Sequence, residues 1–273
     1  MLRRPLISLA VGLVALALLG TAAYAFYWDP QPTYKAAPND AASRVSPQEL
    51  ERAAEQRVFF GHMSVGNNVI SGLRQLYEAH DVAPPNFIET DIGEIPSLDE
   101  DGGAFVHTLI GENRHPYRKL ENFEAMLRGG LADQVDVALI KFCYIDLRWD
   151  SDVEKLFETY KATMAQLEAD YPHVRFVHLT APLTTGPYGI KDHIKMVVGR
   201  NDNATRERYN ALIRAEYGPD RVFDIAALES RAPDGAVKAE LYSGYSNDGA
   251  HLNETGAALV AAEFVRMLNA TPN

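Results

Sequence analysis

Cysteine is almost absent from this 273-residue sequence; Cys143 stands alone. A single thiol excludes an intramolecular disulfide framework and any zinc site built on cysteine pairs. There are eight histidines but no H-E-x-x-H, so no metal is expected. Phosphate-cradling loops are missing too, with neither G-x-x-x-x-G-K nor G-x-G-x-x-G present, and no cofactor is expected. Positive charge is scarce: 26 Lys and Arg stand against 37 Asp and Glu, a formal net charge of −11. A body this acidic repels phosphate backbones, which excludes nucleic acid as a partner. Internal repeats and low-complexity tracts are lacking as well.

What is present is globular in character. Hydrophobic residues make up 47% and charged residues 23%, enough for a chain of this length to bury a core without staples. The one long apolar run lies at the start. Arg3 and Arg4 precede residues 5–27, which carry no charge. Two readings stand side by side. Ala23-Tyr24-Ala25 fits the small-residue cut of a signal peptide, whereas the length, with Phe26, Tyr27 and Trp28 at its edge, fits a retained anchor. Either sends the remainder across a membrane, to a periplasmic or otherwise extracytoplasmic place in the cell envelope. Residues 1–28 are thus read as signal peptide or anchor, 29–45 as a Pro- and Ala-containing linker, and 46–273 as one domain.

Within that domain strands and helices alternate. Ser46, Pro47 and Glu49 form a capping box at the first helix. Residues 57–60 (RVFF) read as a short buried strand running into Gly61-His62-Met63-Ser64-Val65-Gly66. Val65, Val69, Leu73 and Leu76 then recur at helical spacing. Residues 81–116, rich in Pro, Gly and acids, read as loop with short strand pieces. Residues 135–142 (VDVALIKF) are a second strand, and Ser151 with Glu154 offers a cap to the helix after it. Residues 174–179 and 221–225 are further strands, 203–217 a helix, and 253–268 the last helix. Strands that are continuous apolar runs between helices indicate an α/β domain, a parallel sheet covered on both faces. Ligands of such sheets sit at the carboxyl ends of the strands.

The chemistry-bearing residues fall at those ends. Ser64 lies on a turn between Gly61 and Gly66, where a hydroxyl is exposed beside the N–H groups of a helix start. A plain N-cap serine fits the same position. Asp248-Gly249-Ala250-His251 precedes the last helix. There an imidazole is able to accept a hydroxyl proton while the aspartate fixes its tautomer; a loop carboxylate beside a surface histidine is the bland alternative.

The glycine-flanked Ser64 after a first strand, together with D-x-x-H before a final helix, resembles the SGNH (GDSL-type) hydrolase superfamily over roughly residues 58–268. The resemblance implies a three-layer α/β/α, flavodoxin-like fold, Ser64 as nucleophile, His251 as base and Asp248 as its orienting partner. The sequence departs from the family at two motifs. G-D-S is replaced by Gly61-His62-Met63-Ser64. The family's G-x-N-D corresponds to Cys143-Tyr144-Ile145-Asp146, so Ile145 stands where an asparagine supplies an oxyanion-hole N–H. Loss of one such donor costs about 10²–10³-fold in rate. Asn113 and the Gly111 N–H, in Ile110-Gly111-Glu112-Asn113, are the candidate replacements; a turn-shaping role fits Asn113 equally. His62 and Asp146 are candidates to line the substrate pocket. Lys141, at a buried strand end, is read as binding an anionic group, pairing with Asp146 or snorkelling to solvent. Cys143 reads as a small buried hydrophobe. Residues 186–203 are expected to form a mobile flap.

The implied activity is serine esterase action on an acyl ester, with O-acetyl groups of an envelope polysaccharide as the expected substrate. Two alternatives share the fold: a non-catalytic glycan-binding or assembly protein, and an O-acyltransferase.

Overall fold

The computed structural model describes residues 33–99 and 102–270, together with Gly20. The apolar run at residues 5–27 lies outside them. Among the described residues no helix is long and apolar enough to cross a membrane.

The chain forms, in order, α1 (Pro47–Ala54), β1 (Arg57–His62), α2 (Ser64–Ala79), β2 (Asn86–Glu89), β3 (Ala104–Leu109), α3 (Pro116–Met126), β4 (Val137–Ile140), α4 (Val153–Asp170), β5 (Arg175–Leu179), α5 (Gly189–Val197), α6 (Asp202–Tyr217), β6 (Val222–Phe223), α7 (Ile225–Glu229) and α8 (Glu254–Asn269). The six strands make one sheet in the order β2-β3-β1-β4-β5-β6, and every pairing is parallel. Leaving aside the short edge strand β2, this is the flavodoxin-like order. From β1 the chain goes to the edge strand β2, returns to β3 beside β1, and then crosses to β4 on the other side of β1. Ligands of open parallel sheets bind at such a reversal, here beyond the carboxyl ends of β1 and β4.

Successive strand residues feed opposite faces, as the two-residue period requires. Val58, Phe60, Val137 and Leu139 join a core with α1, α2, α7 and α8. Phe59, Ala138, Ile140 and Phe176 join a second core with α3, α4 and α6. Three layers result, as the sequence indicates. Strand β3 is the element least legible beforehand. Its residues AFVHTL sit in a stretch of glycine and proline read as loop with strand pieces, yet it pairs along its whole length with β1.

Helix ends follow local chemistry. Ser46 and Glu49 form the expected reciprocal cap on α1. Helix α4 is capped one residue later than expected, by Asp152, whose carboxylate accepts the Lys155 N–H at 3.0 Å. Ser151 accepts instead from Arg148 N. Residues 33–45, read as linker, are docked on the domain: Ala41 and Val45 are buried, and Ala37 N donates to Gly244 O at 2.9 Å. Two buried apolar side chains outweigh a composition that looks like spacer. Residues 187–200 belong to a different compact unit from residues 33–186 and 201–270. The segment expected as a flap contains the nine-residue helix α5.

Candidate active site

Helices α2 and α8 bring two distant loops to one end of the sheet. At the other end, where the strands begin, Gln56 Nε2 donates to Leu268 O and the Arg175 guanidinium to Met267 O and Leu268 O. The C-terminus of α8 therefore lies beside the strand starts, and its N-terminus, just after His251, lies beside the strand ends. Ser64 opens α2 at that same end, two residues beyond β1. The helices approach closely enough that a Cβ on Gly72 would stand 2.3 Å from Ala257 O. From that contact Ser64 is eight helical residues back, about 12 Å of rise, and Glu254, which opens α8 three residues after His251, is three residues back.

The loop of residues 246–251 is bound to itself. Asp248 Oδ1 accepts the N–H groups of Ala250 (2.9 Å) and His251 (2.8 Å), and Oδ2 meets His251 Nδ1 at 2.6 Å. Buried Ser246 donates to His251 O (2.6 Å) and accepts from Gly249 N (2.9 Å). Burial works to raise the Asp248 pKa. The His251 backbone N–H, the His251 ring and the Ala250 N–H outweigh it and hold the carboxyl at about 2. The Tyr144 ring stands edge-on to the His251 imidazole, centroids 5.7 Å apart. Arg206 backs Tyr144 from behind, its Nε donating to Tyr144 O at 2.8 Å. No hydrogen bond joins Ser64 Oγ to His251 among the described residues.

The start of α2 has no side-chain cap. Gly66 N turns back to Met63 O at 2.7 Å, while the Ser64 and Val65 N–H groups have no protein acceptor among the described residues. They are orphan donors of a helix N-terminus, suited to a developing oxyanion.

The remaining candidates divide. His62 is fully buried, with ring nitrogens 3.1 Å from Met63 O and 3.3 Å from His107 Nδ1. A Cβ on Gly66 would stand 2.4 Å from its ring, so His62 and Gly66 pack against each other beneath the turn. Gly111 N–H, a candidate oxyanion donor, donates instead to Leu109 O at 3.0 Å. The Asp146 side chain is fully buried and acts as a hub. It takes Lys119 Nζ at 2.6 Å, Cys143 N at 2.7 Å and Arg114 N at 2.7 Å. Asn113 is exposed, and its Oδ1 accepts from Lys119 Nζ at 3.2 Å. With the carbonyl end of the amide turned to an ammonium, its NH₂ end remains for another partner.

Lys141 neither pairs with Asp146 nor reaches solvent. It is fully buried, with Nζ 3.5 Å from Cys143 Sγ, and its charge acts on buried Glu229. Lys119 takes the partnership expected of Lys141. The reason is placement: Lys119 lies on α3 beneath the loop that Asp146 ties down. Its signal was in the sequence, since Lys119 shares the apolar stripe of Leu120, Phe123 and Met126. Cys143 is buried, as a small hydrophobe would be. A groove of about 570 Å³ opens between the starts of α3 and α4, lined by Arg114, Tyr117, Arg118, Asp152 and Lys155 among others.

No protein-family model and no curated protein sequence matches the chain. Several solved structures are similar to it. A protein from Parabacteroides merdae described as a GDSL-like lipase is 16% identical, covers 80% of this chain and 97% of its own, and superposes with a TM-score of 0.48. A psychrotrophic esterase from Pseudoalteromonas sp. is 11% identical, over 78% and 97%, with a TM-score of 0.45. The family 3 carbohydrate esterase of Clostridium thermocellum is 14% identical, over 80% and 99%, with a TM-score of 0.42. Identities this low carry nothing about chemistry, which rests on the side chains themselves. In its own strand order and layers, the chain has the three-layer α/β/α fold that its resemblance to the SGNH hydrolases implied.

Proposed function

We propose that the chain is a serine acyl-ester hydrolase of SGNH type, with Ser64 as nucleophile, His251 as base and Asp248 as its orienting partner. The observation that carries this reading is the 2.6 Å contact between His251 Nδ1 and an Asp248 carboxylate held ionised. A carboxylate there requires a proton on Nδ1, which leaves Nε2 as the basic nitrogen. The alignment of the α2 and α8 starts supports a meeting of that nitrogen with the Ser64 hydroxyl.

In the reaction, Ser64 Oγ attacks the ester carbonyl carbon while His251 Nε2 takes the hydroxyl proton. The carbonyl oxygen becomes an oxyanion facing the Ser64 and Val65 N–H groups, with the Asn113 NH₂ as the side-chain donor in place of the family's asparagine. Collapse expels the alcohol, which leaves with the proton from His251. Water then attacks the acyl-enzyme by the same route and releases the acid. The substrate of this reading is an O-acetyl group on an envelope glycan. Transfer to a second sugar would differ only in the acceptor that replaces water.

Hydrolysis of 4-nitrophenyl acetate and butyrate tests the reading. Wild type is expected to turn over the short ester and to be labelled by a fluorophosphonate probe. Ser64→Ala is expected to lose both while keeping its melting temperature. Folded wild-type protein that neither hydrolyses the esters nor takes the label would leave a binding role on the same fold.

A further inference from the structure

Helix α5 is amphipathic, and its apolar side is largely exposed. Ile190, Ile194 and Val197 recur at helical spacing and are 54%, 46% and 87% exposed; Val198, just past the helix end, is 62% exposed. A continuous apolar stripe this exposed on one short helix marks an interaction surface rather than ordinary surface scatter.

Two observations point to what covers it. The first is charge. Residues 187–200 contain Lys191, Lys195 and Arg200 against one acid, Asp192, in a chain of net charge −11. Lysines beside an apolar stripe are the pattern of a helix lying in a lipid headgroup layer. The second is chain reach. Tyr34 is pinned to Thr185, Oη to Oγ1 at 3.0 Å, and α5 begins four residues after Thr185. The apolar run at residues 5–27 ends only seven residues before Tyr34, a span of at most about 25 Å. If that run is in or against a bilayer, the attachment point of α5 is held near the same surface.

We propose that α5 docks on an anionic lipid surface, with Ile190, Ile194 and Val197 in the acyl boundary and the lysines at the headgroups. This docking is independent of the esterase reading.

The test uses the full chain reconstituted in vesicles of phosphatidylglycerol and phosphatidylcholine, with an environment-sensitive fluorophore at Val197→Cys. A second labelled protein carries the same dye at Asp220→Cys, on the exposed loop before β6, and Cys143 is replaced by alanine in both. The dye at position 197 is expected to shift to the blue and to lose most of its emission to nitroxide-bearing lipids, and the dye at 220 to do neither. Ile190→Glu with Ile194→Glu should abolish the shift at 197 without changing the melting temperature, and vesicles of phosphatidylcholine alone should weaken it. A water-like spectrum at 197 in anionic vesicles overturns the proposal. So does a blue shift without quenching by nitroxide lipid, because protein would then cover the stripe, either the chain's own apolar run or a second copy.

Discussion

Asp248 decides which ring nitrogen of its neighbour carries a proton. Its carboxylate accepts two backbone N–H groups before it touches the imidazole, so it stays charged far below neutral pH and does not compete for the proton. Asp248→Asn would keep the shape of the loop but favour the other tautomer, with the Nε2 lone pair lost to a proton. We expect kcat on a nitrophenyl ester to fall by about 10²–10⁴-fold with little change in KM, measured with melting curves as the control for folding. Lys119 shows a different kind of dependence. Its ammonium is the only side-chain cation on Asp146 among the described residues, in a site closed to water. Lys119→Met would strand a buried carboxylate and is expected to cost about 3–5 kcal/mol by urea unfolding. Adding Asp146→Asn should recover part of that loss, because no charge is then buried without a partner, although the single amide oxygen can keep only one of the N–H bonds that Arg114 N and Cys143 N make to separate oxygens of Asp146.

Among elements, the pair α2 and α8 matters most. Their close approach at Gly72 rests on the absence of a side chain, since a methyl there would meet the Ala257 carbonyl well inside contact distance. Gly72→Ala must push the helices apart. A cost of about 1–3 kcal/mol follows from overpacking, seen as a lower melting temperature. Because one helix begins with Ser64 and the other follows His251, a lower kcat in the surviving folded protein is also expected. Residues 61–66 show how much of an element was legible. The strand, the glycine-flanked turn and the helix after it are all where periodicity indicates. What periodicity did not reveal is that His62 faces inward, against Gly66 and His107, rather than toward a substrate. The sheet's two-residue period sends neighbouring side chains to opposite faces, and a turn just after the strand end conceals which face the last residue takes.

At the scale of the whole molecule, buried titratable groups shape stability. Burial first, then Lys141 and His107, lower the His62 pKa to about 3 against the opposing bond to Met63 O. His107 and His178 are lowered by burial in the same sense. An unfolded histidine takes up a proton near pH 6.5 that these sites refuse, so stability falls as pH drops below that value. Glu229 moves the other way. Burial lifts its pKa from 4.5 to about 8, opposed by the Leu183 N–H, Lys141 and Arg206. The folded chain keeps a proton that the unfolded chain has lost, so stability falls as pH rises toward 8 and levels off beyond. Urea unfolding from pH 4 to 9 should therefore show a maximum at about pH 6.5, with a Glu229 contribution near 1.4 kcal/mol per pH unit on the alkaline side. In Glu229→Gln the alkaline fall should disappear and the acid fall remain.

Composition and the alternation of apolar runs were enough to determine a parallel α/β sheet, and Ser64, Asp248 and His251 pointed to its strand ends as the place to look for chemistry. These are local properties, carried by period, turn residues and caps within a few positions of one another. Partnerships between distant segments were decided only by tertiary structure: Lys119 rather than Lys141 on Asp146, β3 as an inner strand, residues 33–45 docked on α8. Each depends on which side chains a fold of this size presses together across the sheet. No periodicity records that, because burial and pairing of a charge are set by neighbours that the chain supplies from far away.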